Sequence, residues 1–175
     1  MIFVSVGTNE TRFDRMVEAV SALPPGSDLF VQYGSSLITD GEGEWRDFLS
    51  FEEMEQAMRA ADVVVCHAGA GSILLARRCG HRPIVMARLG ELGEAVDDHQ
   101  LIMARRLDAS GVVKLVSDAA ELREAVAAAS LPGGDVSDDT ETARLAADVR
   151  AALDSFAAPR RRRRSIRRRA ARAGA

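Results

Sequence analysis

Val63-Val64-Val65-Cys66-His67-Ala68-Gly69-Ala70-Gly71-Ser72 is the stretch on which the reading of this chain turns. Its β-branched opening is the pattern of a strand buried on both faces. It then passes through two glycines into an apolar segment with helical spacing. A strand that turns sharply into a helix aims unpaired backbone N–H groups, and the positive end of the helix dipole, at one point. The N–H groups from Gly69 to Ser72 therefore form a candidate anion site. Further on, Pro83-Ile84-Val85-Met86-Ala87 reads as a second strand, and Asp97-Asp98-His99-Gln100 opens another helical pattern. Two such turns in successive βα units can flank one ligand.

The same alternation extends in both directions. Residues 2–6 read as a strand ending at Gly7-Thr8-Asn9, after which Phe13, Met16, Val17 and Val20 recur at helical spacing until Pro24-Pro25-Gly26. Leu29-Phe30-Val31-Gln32-Tyr33 is the next strand, and residues 45–49 suggest a short extra one. Ser50 with Glu53, and Asp118 with Glu121, have the spacing of capping boxes and mark helix starts at about 51 and 119. Residues 112–115 read as a further strand. A last helix is expected over 138–156, with Leu145, Val149, Ala152 and Phe156 on one face. Strands alternating with helices predict an α/β fold: a Rossmann-like parallel sheet with helices on both faces.

Composition adds boundaries. The 175 residues are 47% hydrophobic, enough for one core. Residues 160–175 hold nine arginines and no acid, so residues 1–159 carry 14 basic and 26 acidic side chains, a net charge of −12. The sequence divides into a globular part, 1–158, and a basic tail, 159–175, expected to be disordered in isolation. Cys66 and Cys79 have no metal-like or redox spacing, which points to a reducing cytoplasm and to no metal site. No apolar run approaches the roughly 20 residues that span a bilayer. A dinucleotide-dependent oxidoreductase would carry Gly-x-Gly-x-x-Gly after an early strand, and Gly7-Thr8-Asn9-Glu10-Thr11-Arg12 lacks it. The tail would suit nucleic acid, but an acidic body with few aromatics argues against that partner.

Taken together, Met1 to Thr8, Gln32-Tyr33-Gly34, His67 to Ser72 and Asp98-His99-Gln100 resemble the donor-binding, C-terminal half of family 28 glycosyltransferases, over about residues 1–130. The resemblance is strongest to the split enzymes, in which a short donor-binding chain works with a membrane-anchored, acceptor-binding chain. One branch makes bacterial exopolysaccharides and the other adds N-acetylglucosamine to dolichol-linked sugar; Ser72-Ile73-Leu74-Leu75 and Gly90 to Glu94 look closer to the first. The resemblance implies half of a GT-B enzyme. It implies an inverting hexosyl transfer from a nucleotide sugar, UDP-linked, to a lipid-linked acceptor at the inner face of the cell membrane, with no cofactor.

Gly7, Thr8, Asn9, Gln32, Gly34, His67, Gly69, Ala70, Gly71, Ser72, Asp98, His99 and Gln100 are then the expected donor contacts. Oriented N–H groups at the glycine turn would stabilise the departing diphosphate without a metal. Gln100 suits sugar hydroxyls, and His99 the phosphate or the sugar. Many relatives place a ribose-binding glutamate where this chain has Leu75, so Glu91 or Glu94 is the expected substitute. The general base is expected on the partner chain. Arg160 to Arg169 would add attraction to an anionic membrane. Each residue also has a plainer role: Ser72 as a helix cap, Asp97 and Asp98 as helix-start charges, the glycines as turn formers. A nucleotide-sugar-binding protein without catalysis is the rival reading.

Overall fold

The computed structural model describes residues 1–37, 41–129 and Ala147. Apart from Ala147, the expected helix over 138–156 lies outside the described residues, as does the arginine tail. Among the described residues up to 129, six strands and five α-helices follow one another: β1 (Ile2–Ser5), α1 (Asp14–Ser21), β2 (Leu29–Gln32), β3 (Glu44–Arg46), α2 (Phe51–Ala60), β4 (Val63–His67), α3 (Ala70–Arg78), β5 (Ile84–Met86), α4 (His99–Ala109), β6 (Lys114–Val116) and α5 (Ala119–Ala129). All pairings are parallel, in the order β3-β2-β1-β4-β5-β6. The order reverses between β1 and β4, where Phe3 lies beside Val64 and Ser5 beside Cys66. A crevice opens at such a reversal, outside the carboxyl ends of the strands.

The alternation of side chains along each strand divides the core. Val4, Val6, Val63, Val65, Ile84 and Met86 pack with α1 and α5 on one face. On the other face, Phe3 and Val64 pack with α2 and α3, while Cys66 and Val85 pack with α3 and α4. Strands buried on both sides account for the unbroken apolar runs in the sequence.

Boundaries moved where a tertiary partner intervened. The extra strand is residues 44–46 rather than 45–49, because Asp47 gives its carbonyl to Gln32 and to Gly34 instead of continuing the ladder. The strand expected at 112–115 is Lys114–Val116, since the Val112 N–H closes the end of α4 on the Leu107 carbonyl at 2.9 Å. Ser50 and Glu53 do form a reciprocal capping box. At α5 the pattern is displaced: Glu121 donates its N–H to Asp118 at 2.9 Å, but its carboxylate accepts from the Ser117 N–H at 2.7 Å.

Candidate functional site

The carboxyl ends of β1, β2, β4 and β5 bring the sequence motifs onto one face. At the end of β4, Gly69 is the cap of α3, with the extended backbone angles φ −85° and ψ 133°. Its own N–H is taken by the His67 carbonyl at 2.8 Å, and the first intrahelical bond runs from Ile73 back to Gly69 at 3.1 Å. The donors of the first turn are therefore those of Ala70, Gly71 and Ser72, one fewer than expected. Ser72 is not the cap. It is the third helical residue, and it is half-buried.

The His67 ring fills the crevice between β1 and β4. A Cβ on Gly7 would lie 2.6 Å from its Cε1, and a Cβ on Gly69 would lie 2.2 Å from its Nε2. Both neighbours are glycine for that reason, and Gly7 also has φ +85°. Although His67 keeps some surface, its Nδ1 is buried without a hydrogen-bond partner. Burial first, and the nearby Arg88 charge second, push the imidazole down to about 4 from 6.5, so the ring is neutral at physiological pH.

On the other side of β1, a cavity of about 220 Å³ is lined by Thr8, Gln32, Gly34, Ser35, Asp47 and Phe48. Thr8 is exposed at its rim, and Phe48 is 64% exposed. Gln32, expected as a ligand contact, is completely buried. Its Oε1 accepts from Ser5 Oγ at 2.8 Å and the Gly7 N–H at 3.2 Å; its Nε2 donates to the Gly7 and Asp47 carbonyls, each at 3.0 Å. Every donor and acceptor of that amide is used, so Gln32 builds the cavity wall and leaves no polar group for a ligand. Gly34, at φ +58°, lies so close to the Gly7 carbonyl that a Cβ would come within 2.8 Å of it. Asn9 folds its Oδ1 back onto the Thr11 N–H at 2.8 Å.

At the start of α4, Asp98 occupies the cap position without capping through its side chain; its Oδ1 instead accepts from the Gly90 N–H at 2.9 Å. Asp97 contacts the His99 ring, which holds the Asp97 carboxyl below its usual range. Gln100 is half-buried, and its Oε1 is buried without a partner. The two expected carboxylates separate. Glu91 is exposed, whereas Glu94 is buried on Arg15 at 2.8 Å and also accepts from the Leu89 N–H at 3.0 Å, so its carboxylate is already occupied. Leu75 is core, packed among Phe3, Met58 and Val64.

Residues 1–150 match the family described as the glycosyltransferase family 28 C-terminal domain. The chain belongs to glycosyltransferase family 28. It is 35% identical over 92 residues to the UDP-N-acetylglucosamine--N-acetylmuramyl-(pentapeptide) pyrophosphoryl-undecaprenol N-acetylglucosamine transferase of Solibacter usitatus (strain Ellin6076), a match covering 53% of this chain and 22% of that protein. The solved structure of the glycotransferase of kitacinnamycin superimposes with a TM-score of 0.53 at 23% identity, over 86% of this chain and 39% of that one. That likeness shows the fold. This family 28 chain spans well under half the length of either relative.

Three side chains of the site went unnoticed in the sequence: Arg15, Arg88 and Phe48. Arginine carries no periodic signal of burial, and Phe48 was read as part of the expected strand 45–49, whereas the strand ends at Arg46. Among the described residues, no group of three or more His, Cys, Asp or Glu is gathered in a way that could hold a metal ion. No described helix is long and apolar enough to cross a membrane.

Proposed function

We propose that this chain is the donor-binding half of a two-component glycosyltransferase. It holds a nucleotide sugar, UDP-linked, for an inverting hexosyl transfer to a lipid-linked acceptor in polysaccharide synthesis. The observation that carries this reading is the pairing of the α3 first turn with the cavity on the far side of β1. Parallel strands are about 4.8 Å apart, so the two features are separated by roughly 10 Å, the span from a diphosphate to a nucleobase. The cavity is smaller than the roughly 300–1,000 Å³ of a whole-ligand pocket, but it accepts a flat ring against Phe48. The orphaned Oε1 of Gln100 leaves an acceptor for a sugar hydroxyl. The Solibacter relative's name, with its UDP-sugar donor and undecaprenol-linked acceptor, supports the same classes of substrate here.

The chemistry assigned to this half is electrostatic. As the sugar–phosphate bond breaks, charge accumulates on the diphosphate, and the Ala70, Gly71 and Ser72 N–H groups with the α3 dipole stabilise it. Neutral His67 is suited to hydrogen bonding without a charge of its own. The acceptor hydroxyl loses its proton to a base on a membrane-anchored partner chain. Arg160 to Arg169 strengthen residence at an anionic inner membrane face. Calorimetry with UDP-N-acetylglucosamine and UDP-glucose tests the site. Ser72→Ala and Gln100→Ala should each weaken binding by about 1–2 kcal/mol while leaving the fold intact. Unchanged affinity in both folded variants would remove the Ser72 hydroxyl and the Gln100 amide from the site.

A further inference from the structure

Among the described residues, Arg88 is the largest side chain that the fold buries completely, at 1% exposure. It follows β5, and its guanidinium crosses the end of β4 to reach the end of β1. There Nη2 donates to the Val6 carbonyl at 3.1 Å. Nη1 serves the carbonyls of Thr11 at 2.7 Å, Arg12 at 3.2 Å and Glu94 at 3.3 Å. The guanidinium carbon lies 4.7 Å from the centre of the Phe13 ring, and Nε is buried without a partner. All four acceptors are uncharged carbonyls. The Glu94 carboxylate is held by Arg15 and the Leu89 N–H. Burying a guanidinium among carbonyls costs more desolvation than an apolar side chain of similar volume would. Holding the fold together is therefore an insufficient reason for an arginine here.

Two consequences of the arrangement bear on the crevice. The Val6, Thr11 and Arg12 carbonyls converge on one point, and a trans peptide places each following N–H on the opposite side. Thus the Gly7 N–H is sent to Gln32 Oε1, and the Phe13 N–H to Ser36 Oγ at 2.9 Å. The arch from Gly7 to Phe13 is pinned at both feet, with Thr8 at the rim of the cavity. The second consequence is electrical. The guanidinium stays charged, and Arg88 is the charged side chain that acts on the His67 ring in the crevice.

We propose that Arg88 is a positioning residue for the anionic part of the donor: it fixes the Gly7–Phe13 arch over the crevice and supplies a permanent positive potential at the diphosphate. The proposal rests on the donor-site reading above. A residue that merely stabilised the fold would affect charged and uncharged ligands alike, so the test compares UDP with uridine.

In Arg88→Met, UDP affinity should fall roughly tenfold, what a unit charge about 10 Å away contributes at an effective dielectric of about 20. Uridine affinity should change by less than about threefold. Arg88→Lys, which keeps the charge and loses the fork, should retain most of the preference for UDP over uridine. Without ligand, the His67 ring protons in an NMR titration should move toward the ordinary histidine range in Arg88→Met but not in Arg88→Lys. Should Arg88→Met fail to fold, Arg88→Gln takes its place with a neutral donor. Equal losses for UDP and uridine, an unmoved His67 titration, or failure of both neutral variants to fold would overturn the proposal. If the unaltered protein binds no UDP, the donor-site reading itself fails; if it binds UDP and the folded neutral variants bind equally well, only the role of Arg88 does.

Discussion

His67 shows how much of a residue's chemistry is set by its surroundings. In the unfolded chain its imidazole titrates near 6.5; in the crevice, burial and the Arg88 charge bring it to about 4. Between those values the unfolded chain holds a proton that the folded chain does not. Stability from this group is therefore complete above about pH 7 and is lost as pH falls from 6.5 toward 4, by about 3 kcal/mol in all. Urea unfolding at pH 7 and pH 4.5 checks this, with His67→Gln as the reference in which the carboxylates titrate unchanged. The variant should lose less stability on acidification than the parent; identical losses would contradict the assignment. The place of His67 beside a glycine turn was legible in the sequence. Its lowered pKa was not, because the burial that mainly causes it, and the Arg88 charge that adds to it, arise only when β5 packs against β4.

The start of α3 makes the same point for an element. Gly69 and Gly71 look equivalent in the sequence, yet a Cβ on Gly69 would strike the His67 ring while one on Gly71 would meet nothing within 4 Å. Gly69→Ala should destabilise by about 1–3 kcal/mol through overpacking. Gly71→Ala should be neutral or stabilising by up to about 1 kcal/mol, with weaker nucleotide-sugar binding where an anion approaches the backbone. Thermal unfolding of the two variants, followed by calorimetry, distinguishes them; equal destabilisation would mean that the ring does not set the requirement. The capping box of α2 was readable in advance because Ser50 and Glu53 sit three residues apart, so chain geometry alone joins them. The shortened β3 was not, since the buried amide of Gln32 claims the Asp47 carbonyl from another strand.

At the level of the molecule, the described residues form a single sheet with its helices, and the proposed function assigns the closing of the cleft to a second lobe. The purified chain should bind a UDP-sugar and transfer nothing to a lipid-linked acceptor, and co-expression with the membrane-anchored partner should restore transfer. Efficient glycosylation by the isolated chain, followed as radiolabelled sugar in the lipid fraction, would refute the two-component reading. The α/β alternation, the parallel sheet and the strand-end position of the motifs were all legible in the linear order of residues. Period, glycine turns and caps are local, and a parallel sheet leaves its loops at a known end. The strand order, the engagement of the Gln32 amide and the Glu94 carboxylate by other parts of the chain, and the Arg88 clamp were settled by packing. Each joins segments far apart in the chain, and the propensity of a polar residue says nothing about which distant carbonyl or carboxylate it will meet.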